Sequence, residues 1–348
     1  MRFSPPRLAS AALVAALALL SSAPVTAAQP EGTPEEQITF GIRPATQDAP
    51  DNRARFTYGA TPGAVVRDYV AVSNVSLAPL TLQVYASDAF NTSEGGLDLL
   101  PAGRPSTDVG AWTKPETTTV VVGARSVVIV PFTLTVPADA TPGDHTGGIV
   151  ASLVTEQTGA NGSKVRVDQR VGARVYLRVA GELRPGLAVE GMAGDYRTNW
   201  NPLGRGSATV TYTVRNTGNV RLRGKQKVVV RTPWGSTVDA EVHADLPELL
   251  PGNAIQLTAA VPAVLPAGWL TAQVDLDPSV GPDDQKLEVP DVSVTSTFAA
   301  VPWAALALLL ALVAFVLLWR YRRRGRSAPK PVRTSTSGAE KVPDVAVR

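Results

Sequence analysis

The stretch Ala208-Thr-Val-Thr-Tyr-Thr-Val-Arg-Asn216 places an apolar side chain at every second position and a polar one between. A period of two puts Ala208, Val210, Tyr212 and Val214 on one face of an extended chain, the signature of a half-buried strand. The same alternation recurs along the chain. It appears at Ile38, Phe40 and Ile42, at Leu80, Leu82, Val84 and Ala86, and at Val128, Val130, Phe132, Leu134 and Val136. Corners are marked by Pro62-Gly63, Pro142-Gly143 and Pro251-Gly252. No amphipathic helical period competes with it between the two chain ends. Many short half-buried strands predict an all-β protein of antiparallel, immunoglobulin-like sandwiches.

An internal echo predicts two such sandwiches. Tyr69-Val-Ala-Val-Ser-Asn74 enters a turn and continues as Leu80-Thr-Leu-Gln-Val84. Val210-Thr-Tyr-Thr-Val-Arg-Asn216 turns through Thr217-Gly218-Asn219 into Lys227-Val-Val-Val230. Each strand ends at an asparagine, whose side chain can cap the turn that follows. Arg184-Pro185-Gly186 interrupts the pattern between the copies. The expected domains are therefore residues 36–182 and 183–290, with Val289 to Thr297 as a short stalk.

The chain ends carry the targeting signals. Residues 298–319 form an uncharged apolar run, followed by Arg320, Arg322, Arg323, Arg324 and Arg326. At 1.5 Å per residue such a run spans a hydrocarbon core of about 30 Å, and the basic flank predicts a cytoplasmic tail, residues 320–348. At the other end Arg2 and Arg7 flank an apolar stretch from Leu8 to Leu20. Small residues follow, with cleavage expected after Ala27 or Ala28, so residues 1–28 read as a signal peptide. The topology expected is single-pass type I, ectodomain outside.

Charge then takes on a different meaning from the whole-chain value. The chain totals +3, but its tail holds nine Lys or Arg against two Asp or Glu, and the leader adds two more positive charges. The stretch between them carries −6, which argues against nucleic-acid binding. There is no cysteine. An exported sandwich without disulfides points to a bacterial plasma membrane, as does the preference for Ala, Gly, Pro and Arg.

The strongest candidate surface is Val165-Arg-Val-Asp-Gln-Arg-Val-Gly-Ala-Arg-Val-Tyr-Leu-Arg-Val179. On one unbroken strand Arg166, Arg170, Arg174 and Arg178 share a face, about 13 Å apart at about 3.3 Å per residue. Such a comb suits the carboxylates or phosphates of wall polymers, which guanidinium binds bidentately. The alternative is a solvated strand face whose charges prevent edge-to-edge aggregation, and a bulge at Gly172 would break the register. Trp234, in the turn Thr232-Pro-Trp-Gly-Ser236, is a candidate sugar-stacking aromatic; packing is expected for Trp112 and Trp269. Trp303 and Trp319 read as interfacial anchors of the apolar run.

Catalytic and metal chemistry find little support. His145 and His243 are the two histidines, and no nucleophile elbow, phosphate loop or metal-ligand spacing is present. Asp275, Asp277, Asp283 and Asp284 hint at a calcium loop, but Lys286 stands near the expected terminal glutamate and a polar hairpin loop fits better. No enzyme, cofactor or metal is expected.

The first domain resembles the peptidoglycan-binding domain of bacterial WxL-interacting proteins. The residues that carry the resemblance are Phe40-Gly-Ile-Arg-Pro44, the polar Gln47-to-Asn52 stretch before Phe56-Thr-Tyr58, and Pro62-Gly63. They continue with the strand to Asn74, the Asn91-to-Gly96 turn, Val136-Pro137, Pro142-Gly143 and Gly147-Gly148-Ile149. The order of leader, two sandwiches, one helix and a basic tail is similar too. No Trp-x-Leu occurs, so the chain resembles the interacting partner and not the WxL protein. The resemblance implies a non-catalytic surface protein whose first domain binds peptidoglycan or an anionic wall polymer. A WxL-type or other surface protein would be presented alongside. The other expectations are an assembly factor resembling fimbrial chaperones, which donate strands at exposed edges, and an adhesin ectodomain that binds a protein partner.

Overall fold

The computed structural model describes residues 38–158, 162–201, 204–241, 245–281 and 287–324. The expected leader, most of the basic tail, His243, Asp283 and Asp284 lie outside the described residues. The fold is all-β, two immunoglobulin-like sandwiches followed by one apolar helix.

The first sandwich begins with β1 (Phe40–Ala45), β2 (Phe56–Ala60), β3 (Val65–Asn74), β4 (Leu80–Asn91) and β5 (Leu97–Leu99). One helical turn, α1 (Val109–Trp112), precedes β6 (Thr113–Pro115), β7 (Thr119–Val122) and β8 (Val127–Thr135). It closes with a hairpin of two 16-residue strands, β9 (Gly143–Thr158) and β10 (Lys164–Val179). One sheet runs β1-β3-β8-β6 and the other β2-β10-β9-β4-β5, with β7 on β4. The pairing is antiparallel except between β2 and β10, which run parallel from Phe56 beside Val175 to Ala60 beside Val179. The first strand region thus divides between the sheets, β1 in one and β2 in the other. Leu82, Val84, Val130, Phe132, Leu134, Ile149 and Val175 fill the space between, as the alternation requires.

The second sandwich comprises β11 (Leu187–Arg197), β12 (Gly206–Asn216), β13 (Leu222–Arg231) and β14 (Thr237–Asp239). It continues with β15 (Leu246–Leu249), β16 (Ala254–Val264), β17 (Gly268–Ser279) and β18 (Val292–Ala300). A three-stranded sheet, β11-β12-β16, faces β14-β13-β17-β18, with β15 on β13. Ala208, Val210, Tyr212 and Val214 are buried in its core, and the Tyr212 hydroxyl donates to Gln226 Oε1 at 2.6 Å.

The end of this domain departs from expectation. Residues 292–300 are an edge strand, paired with β17 from Leu276 beside Val292 to Gly268 beside Ala300. The stalk is therefore part of the sandwich, and the domain extends to Ala300 instead of stopping at 290. Phe298 belongs to the strand, where it packs over Gly194 so closely that a Cβ there has no room. The helix α2 runs Trp303–Arg324, not 298–319. Uncharged residues continue across the border, so composition alone does not show where extended chain becomes helix.

The two asparagines of the internal echo do the same work. Asn74 Nδ2 donates to the carbonyls of Ala78 at 2.8 Å, Val122 at 3.1 Å and Gly123 at 3.1 Å, and its Oδ1 accepts from Ser76 N. Asn216 Nδ2 donates to Val220 O at 2.8 Å and Leu249 O at 2.9 Å, and Oδ1 accepts from Gly218 N. Both are buried. Each ties the turn after its strand to the same relative position of a repeated plan.

Candidate binding surface

The arginine-bearing strand is unbroken. Its pairing with β9 runs without a shift from Lys164 beside Thr158 to Val179 beside Gly143, so no bulge forms at Gly172. Glycine is required there for another reason. Leu99 of β5 folds across the outer face of the sheet and fills the place of a Cβ at Gly172 and at Gly148.

That cover makes the four arginines unequal. Arg166 and Arg174 are exposed and engage no acidic side chain among the described residues. Arg170 donates to the Leu99 carbonyl at 3.3 Å and lies 3.8 Å from Asp168, whose carboxylate accepts from Ser152 Oγ. Arg178 turns into the junction between the sandwiches and grips Asp144 through two bonds, 2.7 and 2.8 Å. Two free guanidiniums and two tethered ones stand where a uniform comb was expected.

The inner face of the same strand shows a second feature. Ala173, Val175, Leu177 and Val179 are buried, but Val165 is 51% and Val171 37% exposed. The reason is geometric. On one side β2 covers β10 only at Val175–Val179. On the far side of β9, β4 reaches only Gly147 to Ser152. The outer half of the hairpin is a two-stranded ribbon, and the β10 edge from Lys164 to Arg174 pairs with no strand among the described residues. An unpaired edge presents a row of backbone donors and acceptors. Beside it lies an alternating apolar row, Val165, half-buried Val167 and Val171.

Deeper in, the junction assembles residues that sequence spacing does not associate. Asp144 is buried, its side chain 2% exposed. Burial alone would push its carboxyl up, but Arg178, the Arg221 backbone N–H at 2.9 Å and the Arg221 charge hold it below the usual carboxylate range. Arg221 stacks on Tyr176, 4.0 Å from the ring centroid, and pairs with Glu248 at 2.9 Å. Asn219 donates to Pro142 O and Glu182 O, both at 2.9 Å. Asn91 donates to Glu248 O and accepts from Leu250 N. Gly143, at φ 122, occupies a backbone region that favours glycine and lies against the Asn219 backbone. The Pro142-Gly143 corner was visible in the sequence; its partner, 77 residues away at Asn219, was not.

His145 follows that corner. Its Nδ1 lies 2.7 Å from Asp108 and its Nε2 2.8 Å from the Thr141 carbonyl, so the imidazolium can donate at both ends. Burial opposes the charge, but Asp108 and the Thr141 carbonyl outweigh it and raise the pKa. Trp112 packs half-buried beside it, ring centroids 4.9 Å apart. Trp234 is 61% exposed at its turn. Trp269, expected to pack, is 59% exposed, because its side chain points outward at the start of β17. Asp275 accepts from Ser293 Oγ at 2.6 Å and from Gln273, so it serves the β17–β18 pair.

The chain matches no protein-family model and no curated protein. Among solved structures it is similar to a chaperone–tip adhesin complex of CFA/I fimbriae biogenesis, with TM-score 0.35 and 10% identity over 74% of this chain and 98% of that one. It is also similar to the class 5 fimbriae chaperone CfaA, with TM-score 0.34 and 12% identity over 74% and 99%. A third is the CsuC–CsuE pre-assembly complex of Acinetobacter baumannii, with TM-score 0.33 and 10% identity over 74% and 97%. At TM-scores below 0.5 these likenesses carry none of the argument that follows.

Proposed function

We propose that the chain is a non-catalytic, membrane-anchored ectodomain that takes an extended segment of a partner protein along the free edge of β10. The single observation that carries this is the unpaired run Lys164–Arg174 beside the exposed valines Val165 and Val171. An incoming strand would complete the backbone ladder and lay alternate apolar side chains against Val165, Val167 and Val171. Lys164, Arg166 and Arg174 favour acidic residues on its other face. The anchor is α2, whose 22 residues end in Arg320, Arg322, Arg323 and Arg324. That basic end orients the sandwiches outward across a bacterial plasma membrane.

Peptidoglycan or another anionic wall polymer is the second reading. It is favoured by Arg166 and Arg174, two exposed guanidiniums about 26 Å apart on one strand face. The resemblance to WxL-interacting proteins joins the two, since such a protein holds the wall and presents a partner.

The test compares two retentions of the full-length protein and its V165D, V171D, R166S and R174S variants. One is co-purification of a partner from solubilised native membranes; the other is co-sedimentation with purified sacculi. The strand-edge reading expects a discrete partner, lost with V165D or V171D. Sacculus binding that falls with R166S and R174S, without any partner, would replace it by the wall reading.

A further inference from the structure

We infer that the end of the second sandwich nearest α2 is a lipid-docking face that rests on the outer leaflet through Trp200, Trp234 and Trp269. This rests on the membrane-anchored reading above and goes beyond it by fixing how the ectodomain meets the bilayer.

Strand register places all three tryptophans at one end. Gly206 at the start of β12 pairs with Val264 at the end of β16, which sets the β11–β12 loop holding Trp200 beside the β16–β17 connection. Gly268 at the start of β17 pairs with Ala300, which puts Trp269 beside the last strand residues. Arg231 at the end of β13 pairs with Thr271, which brings the following turn, with Trp234, to the same end. Thr198 Oγ1 donates to the Val301 carbonyl at 3.2 Å and ties the Trp200 loop to the chain as it leaves the domain. The opposite end, around Asn219, Arg221 and Leu250, is occupied by the first sandwich.

Exposure singles these residues out. Trp200 is 93%, Trp234 61% and Trp269 59% exposed. They are the only aromatic side chains among the exposed large hydrophobics of the described parts of the two sandwiches. An indole that neither packs in a core nor meets a protein partner is well suited to the bilayer interface, where one edge is apolar and the other wet. Arg197, Arg205 and Arg231 are exposed at the same end, within reach of lipid phosphates.

Chain length fixes the occupant. Only Val301 and Pro302 separate the last strand residue, Ala300, from Trp303 at the start of α2. Three Cα steps span at most about 11 Å. If the basic end of α2 marks the inner boundary, its 22 residues at 1.5 Å rise carry Trp303 to the outer one. The face bearing the three tryptophans is thus confined to headgroup depth, and no folded partner fits beneath it.

The experiment reconstitutes the full-length protein into phosphatidylcholine–phosphatidylglycerol vesicles with and without brominated lipids and reads tryptophan fluorescence. One variant, W112F/W303F/W319F, keeps only Trp200, Trp234 and Trp269; the other, W112F/W200F/W234F/W269F, keeps only the two tryptophans of the helix. The expected result is bromine quenching in both, with a blue-shifted emission of the domain set on incorporation. Quenching of the helix set while the domain set stays unquenched would overturn the docking face and leave the anchor intact, freeing Trp234 for another ligand. Absence of quenching in both would overturn the anchor and the docking face together.

Discussion

At the residue scale, single buried polar side chains hold each sandwich's turns. Asn74 makes four hydrogen bonds to main chain and Asn216 three. Replacing either by alanine strands buried carbonyls and should cost about 2–4 kcal/mol, measured by denaturant unfolding. Alanine at exposed Ser207 should cost far less. The asparagines were legible in the sequence because each ends an alternating strand and precedes a turn. His145 supplies a pH signature. Its folded pKa is raised above the unfolded value of about 6.5, so its contribution is complete below that value and is lost as pH rises through the folded one. The groups facing it are Asp108, Asp144 and the Thr141 carbonyl. The melting temperature should therefore fall as pH rises above about 6.5 and through the folded pKa, and H145Q should flatten that part of the profile.

At the element scale, alternation made the strands legible and hid one of their limits. Leu80–Asn91, Val127–Thr135 and Gly206–Asn216 follow the apolar period directly. The last strand was missed because its apolar residues continue into those of α2 without a charge between. Val292, Val294 and Phe298 nonetheless alternate with Ser293, Thr295 and Ala299, the signal that separates strand from helix. An ectodomain ending at Thr297 should be less stable than one ending at Pro302. F298A should cost about 2 kcal/mol through lost packing over Gly194, read by thermal or denaturant unfolding. Equal stability of both lengths would place Phe298 outside the sandwich. The long strand β10 was legible in full, including the shared face of its arginines. Its covering by Leu99 was not, because β5 reaches it from 71 residues away in the chain.

At the scale of the whole molecule, one buried carboxylate joins the two sandwiches. Asp144 meets Arg178 of its own domain and Arg221 of the next, which also stacks on Tyr176. D144A takes from Arg178 its bidentate carboxylate and leaves Arg221 only Glu248 of its two acidic partners. It should cost about 3 kcal/mol at the junction and broaden the interdomain distance distribution in small-angle scattering. The same contribution depends on pH with the opposite sign to that of His145. The Asp144 pKa is depressed, so its stabilisation is present above the unfolded value of about 3.9 and is lost as pH falls through the folded one. The junction joins the two sandwiches ahead of α2, with the β10 edge on the first and, on the second, the tryptophan-bearing end proposed above to face the membrane. The most direct test of that arrangement is a photo-crosslinking scan in native cells, with the probe placed singly from Val165 to Arg174 in the full-length protein. The account predicts adducts to one extended protein segment whose yield alternates with a period of two, strongest at Val165, Val167 and Val171. Uniform yields, or none along the whole edge, would contradict strand addition at β10.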